Sequence, residues 1–270
     1  RPLGGALTST TEPAPFFSRS GSLFLPQPHA HSPWSTDMLH GRLLGGLLAR
    51  AVEIEHGDPE LQFARLTVDL FRNTGMVPVR VETGVVRQGR RIKVVDATAY
   101  ADDQPVARAS AVMLRRGEQP NGQVPSTPPW DMPAPDALGP APESPLPFDV
   151  WYVDESGNPA KDLRIAGKRR AWARERHNLV DDEPMSPFVR AAMAGDFASP
   201  LANYSTTGLE FINSDYTLTL SRLPVGDLIG FESSGHISDA GVAVAECTVH
   251  DLNGPVGFCS VTAVATRPMQ

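Results

Sequence analysis

Residues 60–72 read ELQFARLTVDLFR, and residues 210–222 read EFINSDYTLTLSR. Slide one onto the other with an offset of 150 and Glu60, Thr67, Leu70 and Arg72 meet Glu210, Thr217, Leu220 and Arg222. The same offset, without a gap, carries Glu82 onto Glu232, Val94 onto Val244 and Thr98 onto Thr248. It also carries Pro105, Val106 and Ser110 onto Pro255, Val256 and Ser260. A constant offset over so many matches means two copies of one structural unit. Each copy opens with an apolar helix candidate: LHGRLLGGLLARAV, within residues 37–52, and MSPFVRAAMAGDFA, residues 185–198. Four strand candidates with alternating apolar and polar residues follow in each copy, joined by short turn signals such as Gln88-Gly89 and Asp102-Asp103-Gln104. One helix followed by a run of strands joined by tight turns is an α+β pattern.

The copies differ at a telling place. Gly45-Gly46 meets Gly195-Asp196, so one helix carries a glycine where the other carries a carboxylate among alanines and Phe197. Glycines inside a helix cost about 1 kcal/mol each relative to alanine, which points to close backbone approach at Gly45 and Gly46. An ionised carboxylate among apolar neighbours costs several kcal/mol unless it is hydrogen-bonded or its pKa rises. Asp196 is therefore a candidate catalytic group. His40 also opens a helix, but its counterpart is Arg190, and a capping or packing role is expected for it, with Ser35 or Thr36 as the N-cap. His56-Gly57-Asp58 reads as a polar turn.

Around these copies, residues 1–15 read as a flexible leader and Phe16 to Leu25 as a short strand. Residues 117–148 hold ten of the chain's 26 prolines and are expected to run extended on the surface, forming neither helix nor sheet. The expected organisation is an N-terminal unit at 1–116, a Pro-rich linker at 117–150 and a C-terminal unit at 151–270. With 41% apolar and 20% charged residues, the composition is that of a globular protein, and no apolar run is long enough to cross a bilayer. Cys247 and Cys259 lie in strand-like runs and are expected as buried free thiols, which makes the cytoplasm the expected compartment. No Cys/His spacing suggests a metal site, and neither a metal nor a cofactor is expected. The net charge of −7 and the scattered basic residues argue against nucleic acid.

A central helix followed by antiparallel strands, twice in one chain, resembles the double hotdog fold. LHGRLLGGLLARA, VVRQGRRIKVVDATAYADDQPVARASAVML, SPFVRAAMAGDFAS and GLEFINSDYTLTLSR resemble the TesB-type acyl-CoA thioesterases (acyl-CoA thioesterase II) and their actinobacterial relatives, from Phe16 to Arg267. The resemblance implies two tandem hotdog units forming one continuous antiparallel sheet wrapped around two central helices, and a homodimer or higher homo-oligomer. It also implies hydrolysis of a fatty or related acyl-CoA by a water held between an aspartate, a threonine and a glutamine. Carried over by position, the aspartate is Asp196 and the glutamine position holds Thr262. The threonine position falls on Gly208, with Asn213 the nearest side chain able to serve.

On this reading Asp196 takes the proton of water, Asn213 and Thr262 orient it, and backbone N–H groups near Gly45 and Gly46 polarise the thioester carbonyl. The acyl chain is expected in an apolar tunnel between helix and sheet. Arg87 and Arg90, which share a hairpin with Arg91 and Lys93, are candidates for the phosphates of CoA, and Lys168 to Arg170 form a second basic cluster. A solvated sheet edge explains either cluster equally. Two other functions fit the pattern: a double-hotdog enoyl-CoA hydratase, which requires an Asp/His pair at a helix mouth, and a non-catalytic acyl-CoA binding or sensor protein.

Overall fold

The computed structural model describes residues 13–164 and 167–267; most of the expected leader, residues 1–12, lies outside the described residues. In chain order the elements are β1 (Phe17–Ser20), β2 (Leu23–Pro26), β3 (His31–Ser32), β4 (Ser35–Leu39), α1 (Gly41–His56), β5 (Leu61–Leu70), β6 (Val79–Gln88), β7 (Ile92–Ala101) and β8 (Gln104–Arg115). Then come α2 (Pro135–Leu138), β9 (Phe148–Val153), β10 (Pro159–Ala160), β11 (Arg170–Glu175), α3 (Pro187–Gly195), α4 (Ala198–Asn203), β12 (Phe211–Leu220), β13 (Leu228–Asp239), β14 (Val242–Asp251) and β15 (Gly254–Ala265).

Thirteen strands form one antiparallel sheet in the order β1-β2-β6-β7-β8-β5-β12-β15-β14-β13-β11-β9-β10. The order is a palindrome about the β5–β12 seam, with β10 as an extra edge. At that seam Thr67 pairs with Thr217, its own counterpart in the repeat, and their hydroxyls are 3.0 Å apart. Only a two-fold relation between the copies lets a residue meet its equivalent in this way. The result is the double hotdog: one sheet, with α1 and α3 packed against it.

The helices are buried because the sheet beneath them presents small and apolar residues at every second position. Strand β7 alternates half-buried with buried along its whole length. Its inward Val95, Ala97 and Ala99 join Ala107, Ala109 and Ala111 of β8 beneath α1, all 0–1% exposed. α1 in turn contributes Leu43, Leu44, Leu47 and Leu48, at most 2% exposed, and the core runs unbroken through both halves. Three polar ties bind α1 to the second half: Arg42 to Glu175 at 2.5 Å, Arg50 to Glu183, and the Ser186 hydroxyl donating to Glu53 at 2.5 Å. Ser186 also accepts from the Val189 N–H as the N-cap of α3, a favoured role for serine.

Local structure departs from expectation in three places. The first strand is a hairpin, β1–β2, which turns at Gly21 with φ +63°. α1 starts at Gly41 and not near Asp37, because the Leu39 N–H is taken by the Thr74 carbonyl and Met38 bridges to Gly75, which holds residues 35–39 as strand. The N-cap is therefore His40, without a side-chain cap bond. The Pro-rich stretch carries a helical turn, α2, with proline in its first turn, where a missing N–H costs nothing. It is also fastened to the sheet. Trp130 stacks on His250 with ring centroids 4.2 Å apart and meets Trp172 edge-on, and Met132 is buried beside Trp151 and Trp172. Cys247 and Cys259 are buried free thiols, and no helix among the described residues is long and apolar enough to cross a membrane.

The glycines of α1 serve packing. A Cβ at Gly45 would overlap the Tyr216 hydroxyl, which donates to the Ala192 carbonyl of α3 at 2.6 Å; one at Gly46 would meet Met193 at 2.7 Å. Gly45→Ala should therefore destabilise the protein by about 1–3 kcal/mol through overpacking, although alanine is the better helix former by about 1 kcal/mol. Adding Tyr216→Phe, which removes the obstructing oxygen, should recover part of the loss in a urea titration.

Candidate functional site

Pro200 sets the position of Asp196. A proline inside a helix has no N–H for the carbonyl four residues back, and its ring collides with that carbonyl; four residues back from Pro200 is Asp196. The single helix expected over 185–198 accordingly ends as α3 at Gly195 and restarts as α4 at Ala198, with Asp196 the C-cap and Phe197 between them. The carboxylate at this break is 8% exposed.

A bulge in β12 brings its partner. The β12–β15 register slips between Asn213 and Asp215, leaving Ser214 as the extra residue. Without it, Asn213 and Tyr216 would point to opposite faces; with it, both face the helices. Asn213 Nδ2 then donates to Asp196 Oδ1 at 2.8 Å. Thr262 does not join them. It alternates with the inward Val261 and Ala263, so its side chain lies on the outer face of the sheet. There its hydroxyl bonds Asp215 and stands 2.8 Å from that of Ser214. Thr262 thus closes the bulge from outside and cannot touch a water at Asp196.

The residue that does face Asp196 is His40. Its Nδ1 is 3.9 Å from Asp196 Oδ2, and its side chain is 15% exposed. Burial, with the nearby Arg42 and His31, holds the His40 pKa well below 6.5, so the ring is neutral at physiological pH. Burial raises the Asp196 pKa above 3.8, against the Asn213 hydrogen bond and the Arg42 charge, which lower it. The Arg42 guanidinium lies between the rings of Phe16 and Phe148, 5.1 and 4.6 Å from their centroids, and pairs with Glu175. At the start of α1 the His40 N–H is taken by the Ala30 carbonyl, and the Leu43 N–H by that of His40. Among the described residues no acceptor meets the N–H of Gly41 or Arg42, two of the donors that a helix start leaves free.

Two cavities meet at this group. One, about 240 Å³, runs outward past Gly41, Arg72, Asn73, Thr74 and Ser214. The other, about 360 Å³, is lined by Phe148, Tyr152, Leu163, Phe197 and Phe211, among others. Trp34, His40, Asp196 and Asn213 line both. A substrate spanning the cavities would present its middle to a carboxylate, an amide and two backbone donors.

The remaining candidates lie elsewhere. Gly45 and Gly46 are buried between α1, Tyr216 and Met193 and line neither cavity; their N–H groups lie past the free donors of the first turn. Arg87 and Arg90 are exposed on a hairpin whose Lys93 reaches the His56 carbonyl at the C-terminus of α1. The 16 residues of α1, about 24 Å of helix, separate that hairpin from His40. In the second basic cluster, Lys168 pairs with Glu232 and Arg170 with Asp131. Gly208 sits at φ +137° in the loop before β12. The apolar tunnel between helix and sheet is filled by leucines and by Tyr216, both fully buried. Among the described residues no cluster of ligating side chains could hold a metal.

The sequence matches the family model for the acyl-CoA thioesterase N-terminal domain over residues 30–114 and that for the acyl-CoA thioesterase C-terminal domain over residues 122–264. Among solved structures, a tesB protein of Mycobacterium avium subsp. paratuberculosis aligns with TM-score 0.68 at 17% identity, covering 93% of this chain and 96% of that one. A conserved protein of unknown function with a hot dog fold from Alicyclobacillus acidocaldarius aligns with TM-score 0.71 at 16% identity, with 93% and 96% covered. An acyl-CoA thioesterase II of Mycobacterium marinum gives 0.61 at 18%, with 84% and 91% covered. At such identities these structures speak to the fold. No curated protein matches the sequence.

The buried acid has a cost that can be measured. Because its folded pKa is raised, ionised Asp196 destabilises the protein, nothing being lost below the unfolded value of 3.8 and the full penalty being present above the folded value. Asp196→Asn should therefore unfold at the same or a higher temperature than the parent at neutral pH, and the difference should shrink as the pH falls toward 4.

Proposed function

The chain belongs to the acyl-CoA thioesterase family and is a thioester hydrolase, and from that premise we propose that it splits acyl-CoA with a water activated by Asp196. The observation that carries this reading is the Asp196–Asn213 pair, 2.8 Å apart where two cavities converge.

The thioester carbonyl lies over the start of α1, with its oxygen toward the N–H groups of Gly41 and Arg42. The acyl group enters the larger, apolar cavity, and the pantetheine arm leaves through the smaller one, past Arg72 and Asn73. Asn213 holds the Asp196 carboxylate through its amide N–H, leaving Oδ2 to accept a proton from water. Burial that raises the pKa of Asp196 makes it a stronger base than an exposed carboxylate. As water attacks the carbonyl carbon, negative charge builds on the oxygen and is met by preorganised N–H donors at the positive end of a helix. The tetrahedral adduct then expels the CoA thiolate, which takes up the proton held by Asp196. Free acid and CoA result, and the carboxylate is restored. Neutral His40 lines the water site opposite Asn213 and orients the water.

The His40–Asp196 approach of 3.9 Å at a helix mouth also suits addition of water to an enoyl thioester, which makes hydration the second reading. Release of free thiol from saturated acyl-CoA separates the two, since a hydratase releases none. Binding of acyl-CoA without any turnover would identify a sensor instead.

Asp196→Asn should lower kcat/KM for thiol release by about 10²–10⁴-fold, the worth of a positioned base; unchanged turnover would remove Asp196 from the mechanism. In the parent, kcat/KM should fall on acidification with a midpoint above the 3.8 of an ordinary aspartate, because the base must be ionised to act. Substituting Asn213 by alanine, which removes a hydrogen bond to the ionised form, should move that midpoint upward.

A further inference from the structure

We propose that the acyl subsite is shaped for a compact, ring-bearing acyl group (an arylacyl thioester) and not for a long alkyl chain. This deepens the hydrolase reading above and rests on it.

Volume sets the first limit. The cavity on the acyl side holds about 360 Å³. An apolar cavity of about 150 Å³ takes up a benzene ring, so a phenylacetyl group fits this one. Inward, the space between α1 and α3 is taken by the Tyr216 hydroxyl, bonded to the Ala192 carbonyl, and Tyr216 is fully buried. Outward, the rim carries Glu143, Lys161 and Asp162, against which further methylenes would bury little apolar surface.

The walls set the second. Trp34, Phe148, Tyr152, Phe197, Tyr204 and Phe211 all line the cavity. Phe148 meets Phe197 edge-on, centroids 6.0 Å apart and planes at 83°, while Tyr152 lies 6.4 Å from Phe197 at 27°. Faces and edges presented together form the surround that another ring prefers, whereas an alkyl chain gains only area from it.

The Pro-rich connector forms the outer wall, through Pro142 to Leu146. Its prolines stiffen it, and it is fastened on both sides of this wall, by Trp130 on His250 and by Arg176 donating to the Leu146 carbonyl. The wall is therefore a fixed boundary of the cavity, and the segment that joins the two repeats also limits the acyl group.

The test is thiol release from phenylacetyl-, octanoyl- and palmitoyl-CoA, the last kept below micelle formation. kcat/KM for phenylacetyl-CoA should exceed that for palmitoyl-CoA by about tenfold or more, the scale on which pocket fit discriminates apolar groups. Equal or faster palmitoyl turnover overturns the proposal while leaving the hydrolase reading intact. If no acyl-CoA releases thiol, the hydrolase reading falls and titration calorimetry of the same thioesters decides the subsite: tighter phenylacetyl-CoA supports it, tighter palmitoyl-CoA overturns it. Leu146→Ala, which opens the connector wall, should shift the phenylacetyl-to-octanoyl ratio toward octanoyl by about threefold or more; an unchanged ratio would show that the connector does not bound the acyl group.

Discussion

The pairing of β5 with β12 across Thr67 and Thr217 is the constraint on which the rest of the structure depends. Two strands that meet residue on equivalent residue fix a two-fold relation between the halves, and that relation lays α1 and α3 antiparallel beneath one sheet. Each helix contact is then made twice, once with the roles of the copies exchanged. The approach of His40 to Asp196 has a twin in which Arg190 stands for His40 and Gly46 for Asp196. In that twin no carboxylate is present, and Arg190 turns away to donate to the Gly226 carbonyl at 2.7 Å. Phe63, the counterpart of Asn213, lies flat on Phe188 with ring centroids 3.9 Å apart. One copy of the contact has become a polar site, and the other has been filled with packed rings.

Within that frame, two irregularities of the backbone aim the side chains of the candidate site. Proline at 200 interrupts the helix at the residue whose carboxylate enters it, and the extra residue Ser214 turns Asn213 inward. The first repeat carries the same slip, between Phe63 and Arg65, so the bulge belongs to the unit and was not added for chemistry. The substitution of phenylalanine by asparagine on a ready-made inward position distinguishes the second copy. On the other side of the sheet Thr262, Ser214 and Asp215 hydrogen-bond one another, which fixes the bulge on the face that solvent reaches.

The repeat offset made the fold legible, because a gapless register transmits periodicity from one copy to the other and the β7–β14 and β8–β15 pairs share their bounds under it. The same comparison singled out Asp196 against Gly46. His40 against Arg190 is the same kind of asymmetry, but nothing in the sequence separates divergence there from a plain mismatch, so the residue that faces the acid does not stand out. Thr262 differs for another reason: an offset along the chain ignores the two-residue period of a strand, and the inward Val261 and Ala263 flank it. The glycines of α1 signal close approach, but the partner that approaches is Tyr216, which no local pattern reveals. Charge clustering at Arg87 and Arg90 carries no information on which end of a helix a hairpin reaches.

Antiparallel helices give the site its electrical character as well as its shape. Asp196 is the C-cap of α3, whose closing carbonyls are taken: that of Ala192 by the Tyr216 hydroxyl, that of Ala194 by the Phe197 N–H and that of Gly195 by the Cys259 thiol. Burial among these packed elements opposes ionisation of the carboxylate. In the proposed mechanism the thioester lies against the start of α1, where free N–H groups and partial positive charge favour an oxyanion. Two parallel helices would have set like ends side by side, leaving the acid with no helix start opposite it. The two-fold seam rules that out. By fixing the helices head to tail, it sets the buried acid at the end of one beside the free donors at the start of the other, with Asn213 to hold the acid in place.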